Sequence, residues 1–492
     1  MERFGRRDFV VRGGRVVAGA ALGLGLASRA EARALDALDQ LDSVLRGPLL
    51  RPGSAEYGTA RRPWNARFDD VLPHAIVQPL DTTDVEAIVR WAVAHDVRLG
   101  VRSGGHSYAG LSSTTGVLVD LSRLSSVTVG ADGRAAVGAG ATLGSVYSRL
   151  WAAGQRTIPA GSCPTVGIAG LTLGGGHGFA SRAFGLACDS LRSVRIVTAD
   201  GHAYDVSAGS RPNLFWALRG GGAGSYGIVT RLTFATRKVG TVTTFVLRWP
   251  WAAAADVVAA WQAFMATAPE ALTTTLALRV PSTTGGAPTV VVNGMFLGPK
   301  PGAAAALAGL TGGDPPPTTT SLVQRTYGAA MTYFAGGQSE PRRLAGSSRV
   351  AKAPLGPKGR DALVEAVEER HADPRLHGGG IVLFAFGGAV GSVPRTATAY
   401  VHRDARFSLE LLGLWTSPSP TAETANLAWI RQARLTLSPY TSGEALQNYA
   451  DRALGSWKRA YYAENLERLV ATKHAVDPTN RFRHQQSIPT AL

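Results

Sequence analysis

Arg102-Ser103-Gly104-Gly105-His106-Ser107-Tyr108 and, with its cysteine 57 residues beyond His106, Gly161-Ser162-Cys163-Pro164-Thr165-Val166-Gly167 are the two stretches on which the fold turns. Each sets a nucleophilic side chain among glycines. Glycine lets a backbone approach a bulky anion and take positive φ, so that its amides converge on phosphate oxygens. An imidazole nitrogen or a thiolate beside such a cradle can bond a cofactor as well as bind it. Taken singly, neither segment is specific. Glycine turns often carry a capping His, and a free Cys is more often a small buried hydrophobe. A third loop in the same order, Leu173-Gly174-Gly175-Gly176-His177-Gly178, makes the set distinctive.

Together the three segments closely resemble the berberine bridge enzyme-like family of flavin oxidases, within the vanillyl-alcohol-oxidase superfamily. The resemblance implies FAD bonded twice, through His106 to the 8α-methyl and through Cys163 to C6. It also implies a cofactor wall of Arg102, Ser103, Gly104, Gly105, His106, Ser107, Cys163, Val166, Gly167, Gly170, Gly174, Gly175 and Gly178, joined by Gly227, Ile228 and Asn448. The implied fold is α+β: a two-subdomain PCMH-type FAD-binding domain, then an α+β substrate domain with an antiparallel sheet that roofs the flavin. The expected divisions are 35–239 (core 71–239) for FAD, 240–440 for substrate, and 441–492 returning to the FAD domain. Tyr461-Tyr462-x-x-Asn465-x-x-Arg468-Leu469 and Asp477-Pro478-x-Asn480-x-Phe482 match the family's C-terminal signature.

Periodicity agrees with that order. Residues 75–78 read as a strand, and Thr83-x-x-Glu86 as a capping box opening a helix whose Val85, Ile88, Val89 and Ala92 recur at helical spacing. Strands are predicted over 98–102, 116–121 and 135–139, and a helix over 143–152. Strands over 193–198 and 203–206 flank Asp200-Gly201, a hairpin signal. A short helix over 213–218 precedes the loop Arg219–Gly227 and a further strand. No G-x-G-x-x-G follows a first strand, so the pattern is not Rossmann. From 240 the texture changes to strands over 241–248, 272–280, 289–296, 381–386 and 408–415. Helices over 252–267, 360–371 and 423–437 lie between them, which suits an antiparallel sheet covered on one face. Pro315-Pro316-Pro317 and the Thr run after it read as a surface turn.

The 492 residues are 45% apolar and 17% charged, with a net charge of +16. Arginine is scattered without a basic-aromatic stripe, so no nucleic-acid partner is expected; a basic face suits an anionic ligand or an envelope polymer. Seven positive charges fall in the first 33 residues. There Gly5-Arg6-Arg7-Asp8-Phe9-Val10-Val11 resembles a twin-arginine signal, followed by a weakly apolar stretch over 16–27 and by A-x-A sites at 30–32 or 32–34. Residues 1–34 are therefore expected to direct export by the twin-arginine machinery to the periplasm or beyond, with no membrane span in the mature form. Two cysteines, Cys163 and Cys188, allow one disulfide; the resemblance instead spends Cys163 on flavin and leaves Cys188 a buried thiol.

Oxidation of a C–H bond by flavin needs a base for the substrate proton, while the cofactor supplies the redox chemistry. Asn448-Tyr449-Ala450-Asp451 matches the family's segment carrying its base, which makes Tyr449 the candidate, with Glu410 of Ser408-Leu409-Glu410-Leu411-Leu412 as its helper. A phenol is a poor base near neutral pH unless its proton is relayed. Glu410 lies in an alternating strand, where either the solvent face or the flavin face is open to it. Tyr108 and His177 fall where relatives carry aromatics close to flavin. Val166 falls where a small side chain is associated with oxygen access, which favours molecular oxygen as acceptor. No metal set of H-x-x-x-H or C-x-x-C type and no G-x-S-x-G occurs. The leading expectation is an exported FAD oxidase acting on an alcohol, sugar or secondary-metabolite C–H group of a small-molecule substrate. The rivals are a catalytically silent binding protein and a nicotinamide-dependent reductase on the same scaffold.

Overall fold

The computed structural model describes residues 37–283 and 285–492. The twin-arginine segment lies outside them. Three main sheets organise the chain. A four-stranded sheet runs Leu49–Leu50, Ala75–Val77, Val117–Asp120, Leu99–Arg102, its last three strands parallel. A five-stranded antiparallel sheet runs Val127–Val129, Arg134–Gly138, Ile228–Ala235, Leu191–Val197, Ala203–Ser207. Helices Thr82–Ala94 and Leu143–Ala152 pack into one apolar core with both, which includes Ile88, Val89, Val119, Val137, Leu150 and Leu232.

The third sheet has seven antiparallel strands, in the order Thr319–Thr326, Thr241–Trp249, Thr289–Phe296, Leu272–Arg279, Gly380–Ala385, Phe407–Trp415, Arg343–Ala351. Strict alternation splits its two faces. Phe245, Leu247, Leu276, Leu278, Val292, Leu383, Leu409 and Leu411 form a second core with Val257, Trp261, Leu363, Val367, Trp429 and Ile430 of helices Ala254–Thr267, Pro357–Ala372 and Pro420–Thr436. The other face carries Arg248, Thr275, Ala277, Arg279, Val382, Phe384 and Glu410, and these line a cavity. The C-terminal helices Trp457–Tyr462 and Leu466–Val476 turn back onto the first core. Lys473, fully buried, ties them there: its Nζ donates to the carbonyls of Ser225 and Phe482, each at 2.7 Å, and pairs with Asp477. No described helix is long and apolar enough to cross a membrane.

Some local expectations need correction. Asp81, in extended backbone, caps helix Thr82–Ala94 by accepting from Thr83 N and Asp84 N at 2.9 and 3.1 Å. Thr83 already sits inside the helix, and Glu86 accepts instead from Ala203 N of the neighbouring hairpin at 2.8 Å. The Thr run beyond Pro317 is no turn: Thr319–Thr326 is an edge strand, for which β-branched residues are well suited. Strand Arg343–Ala351 and helices Lys300–Thr311 and Tyr327–Ala335 had no clear periodic signal; the strand is fixed by full-length pairing with Phe407–Trp415.

Candidate active site

The two nucleophile loops meet because both lack a Cβ at the crossing. A Cβ on Gly104 would overlap the backbone nitrogen of Gly167, and one on Gly167 would overlap Ser103 Oγ and Gly104 N. Gly105, at φ +73°, then turns the chain so that His106 faces inward. Thr165 joins the two side chains: its Oγ1 lies 2.9 Å from His106 Nε2 and 3.6 Å from Cys163 Sγ. The Cys163 thiol also lies 3.5 Å from the carbonyl of Gln338. Both cysteines are free, and Cys188 is fully buried. Trp64, also on the cavity lining, stacks on the His106 ring, with centroids 3.9 Å apart and planes at 17°. Burial pulls the His106 imidazole down to about pKa 3, so it is neutral at ordinary pH and keeps a lone pair.

These side chains border a cavity of about 890 Å³ between the sheet and the glycine loops, near the upper end of the range for ligand sites. Its walls include Ser103, Gly104, Gly105, Ser107, Val166, Gly167, Gly170, Gly174, Gly178, Gly227 and Asn448. Asn448 Nδ2 donates to the carbonyl of Leu171 at 3.1 Å, which ties the C-terminal segment to the short helix Ile168–Leu173 leading into the third glycine loop. A Cβ at Gly170 would meet nothing within 4 Å, so this glycine leaves the cavity floor open.

Three expected wall residues lie elsewhere. Arg102 is a clamp, its guanidinium donating to the carbonyls of Ala60, Arg61, Arg62 and Ser112 at 2.6 to 3.3 Å. It thereby holds the loop that delivers Trp64. Gly175, at φ +114°, packs against the Tyr400 ring, and Ile228 is fully buried in a strand pairing with Val197.

Above the loops, four polar side chains form two pairs. The Tyr108 hydroxyl donates to Glu410 Oε1 at 2.6 Å, and the Tyr449 hydroxyl lies 3.0 Å from His177 Nε2. Glu410 therefore faces the cavity, not solvent. The expected direct partnership of Glu410 with Tyr449 is replaced by these two pairs, because Tyr108 occupies the carboxylate. Burial pushes Glu410 above its usual range, opposed by the Tyr108 hydrogen bond and the charge of Arg279. Burial also raises both phenols well above 10, the Glu410 charge adding to it. His177, wedged beside Phe384 and Phe386 with centroids at 4.5 and 5.4 Å, is lowered by burial to about 4 and is neutral at ordinary pH.

Trp64, Thr165, Arg279 and Phe384 escaped the sequence reading. Only the alternation of the strand bearing Phe384 hinted at its facing the cavity.

A long cavity walled by glycine-rich backbone, with an imidazole and a thiol on one rim and two buried phenols on the other, defines a flavin-dependent oxidoreductase. Comparisons with known proteins agree. A family model for an FAD binding domain matches residues 73–207, and one described as berberine and berberine like matches residues 445–489. The chain is 34% identical to the uncharacterized FAD-linked oxidoreductase YgaK of Bacillus subtilis (strain 168), over 90% of this chain and 97% of that protein. It is 30% identical to BBE-like 1 of Physcomitrella patens, with a TM-score of 0.84 over 92% of this chain and 99% of the other. A third likeness, at 26% identity and TM-score 0.84 over 93% and 100% of the two chains, is to a glucooligosaccharide oxidase from Acremonium strictum described as carrying a 6-S-cysteinyl, 8α-N1-histidyl FAD. The chain belongs to the berberine bridge enzyme-like family of FAD-linked oxidoreductases.

Gly170→Leu should leave the fold intact, since the helix Ile168–Leu173 around it gains a better helix former. Its side chain would enter the open cavity floor, so the purified variant should show little flavin absorbance at an unchanged far-UV circular dichroism spectrum. Full flavin content would contradict this placement.

Proposed function

We propose that the protein is an exported oxidase that holds FAD by two covalent links, through His106 Nδ1 and Cys163 Sγ, and oxidises an alcohol or sugar C–H group. The observation that carries the reading is the convergence of His106 and Cys163 on the Thr165 hydroxyl at one rim of the cavity. Nδ1 makes no hydrogen bond among the described residues, and with Nε2 donating to Thr165 it would carry the free lone pair. The doubly linked flavin of the fungal oxidase supports the same choice of atoms.

When bound, FAD supplies the two-electron acceptor for the substrate hydride, and molecular oxygen would take those electrons on to hydrogen peroxide. The chain's own residues handle the proton. As a substrate C–OH becomes C=O, its hydroxyl proton passes to the Tyr449 oxygen while the Tyr449 proton passes to His177 Nε2. A phenol held protonated by burial can act only by such a relay, and neutral His177 at 3.0 Å provides the acceptor. Tyr108 and Glu410 stand beside that pair, the Tyr108 and Tyr449 rings 5.5 Å apart, and orient the substrate oxygen. Val166, on the cavity lining, supports access for oxygen.

His106→Ala and Cys163→Ala should each retain one covalent link, and the double variant only dissociable FAD. Fluorescence of the denatured protein band and peptide mass mapping read this directly, and unmodified His106 and Cys163 in the holoprotein would overturn it.

Tyr449→Phe should keep its flavin yet slow anaerobic stopped-flow reduction by about two to four orders of magnitude. In the wild type the rate should be flat above the His177 pKa of about 4 and fall as pH drops through it, because imidazolium cannot accept a proton. A Tyr449→Phe enzyme reduced at the wild-type rate excludes the relay.

Export is proposed to follow the twin-arginine route. Replacing Arg6 and Arg7 by Lys, which keeps charge but changes the recognised group, should strand unprocessed precursor inside the cell. Normal processing of that variant would refute it.

A further inference from the structure

Five arginines line the cavity, Arg98, Arg248, Arg279, Arg342 and Arg483, against a single carboxylate, Glu410, among the described residues. They separate into groups by the chain segments that bear them. Arg98 borders the four-stranded sheet and Arg483 lies in the C-terminal segment, on the side of the glycine loops, while Arg342, just before strand Arg343–Ala351, donates to the carbonyl of Gly337. Arg248 and Arg279 stand on the seven-stranded sheet, on the substrate side of the cavity. The guanidiniums of Arg248 and Arg279 make no ion pair and no hydrogen bond among the described residues, and both residues line the cavity while remaining exposed to solvent.

Register fixes where these two lie relative to the reacting groups. Arg248, Val291, Ala277, Val382 and Glu410 form one cross-strand row on the cavity face. Four strand spacings separate Arg248 from Glu410, about 19 Å. Arg279 lies only two strands from Glu410, about 10 Å across the sheet and one row along. Its cross-strand partner is Gly380, which faces Leu412 on the strand of Glu410, so the strand between them offers no side chain at that position. Thr275 and Asn293, hydrogen bonded to each other, supply neutral polar groups on the same face. The cavity face of the sheet thus carries a cation whose charge reaches the Tyr108–Glu410 pair and a second farther out, and among the described residues no carboxylate makes ion-pair contact with either.

We propose that the substrate is an alcohol or sugar that also bears an anionic oxygen group, a carboxylate or a phosphate, which Arg279 binds near the oxidised carbon, with Arg248 receiving a second such group on an extended substrate. The inference rests on the oxidoreductase reading above and specifies the substrate of that site. Arginine's planar fork matches carboxylate and phosphate oxygens bidentately, and an unpaired guanidinium in a walled cavity gains most from such a partner. A cavity with cations on its substrate wall also concentrates anions and speeds their entry.

The test uses the flavin-loaded enzyme with D-glucose, D-glucuronate and D-glucose 6-phosphate, and with digalacturonate against a neutral disaccharide. Binding is read under anaerobic conditions from perturbation of the flavin spectrum, and turnover from flavin bleaching. Glucuronate or glucose 6-phosphate should bind about 10- to 100-fold more tightly than glucose, the span expected for a charge-assisted pair. The two anions distinguish carboxylate from phosphate recognition. Arg279→Gln should bring the anion-to-neutral ratio close to one, Arg279→Lys should restore part of it, and Arg248→Gln should lower it only for digalacturonate. Raising the salt concentration should erode the same ratio. Equal binding of neutral and anionic members, or a ratio unmoved by Arg279→Gln, overturns the proposal. Tight anion binding without bleaching leaves the anion site standing and refutes oxidation of these compounds.

Discussion

Two glycine backbones in contact hold this site together. Gly104 and Gly167 come so close that neither tolerates a Cβ, and from that contact follows the meeting of His106 with Cys163 through Thr165. The approach brings together segments more than fifty residues apart, each anchored in its own part of the fold. One follows the parallel strand Leu99–Arg102, and the other runs between helices Leu143–Ala152 and Ile168–Leu173. Arg102 strengthens the arrangement indirectly, because three of its carbonyl partners, Ala60, Arg61 and Arg62, set the loop from which Trp64 covers the His106 ring.

The opposite wall depends on alternation. A strand with its even residues toward the cavity and its odd residues toward helices sends Val382, Phe384, Ser408 and Glu410 inward while Leu383, Leu409 and Leu411 seal a separate core. A slip of one residue would exchange these sets and bury Glu410 among aliphatic side chains. The glycine loops form one wall of the cavity, and the sheet forms the wall facing them.

The third contribution comes from the end of the chain. Residues 445–489 leave the large sheet and return to the first core, carried by buried Lys473 and by Asn448 against Leu171. This return sets the Tyr449 hydroxyl beside His177, from a loop 272 residues earlier. The result is two separate polar pairs: neutral His177 beside the Tyr449 hydroxyl, and the carboxyl of Glu410 accepting from Tyr108.

The sequence by itself determined the α+β class, the order of most strands and helices, and the chemical identity of the site. Glycines that must approach another backbone or take positive φ are chemically conspicuous, and so are a His and a Cys among them. Apolar periodicity of 2 or 3.6 is local, and can be read without neighbours. What the sequence could not determine was partnership. Glu410 pairs with Tyr108 because strand register places the two 302 residues apart in sequence but 2.6 Å apart in space. Arg102, conspicuous beside the glycine loop, turned out to be a clamp because its guanidinium points away from the cavity toward carbonyls no local pattern announces. Arg343–Ala351 is a strand through its partner, with no strong propensity of its own. Local propensity and chemistry belong to single residues, whereas side-chain direction, burial and the pKa shifts that follow belong to the assembled neighbours. Those were decided only when the loops, the sheet and the returning C-terminal segment closed around one cavity.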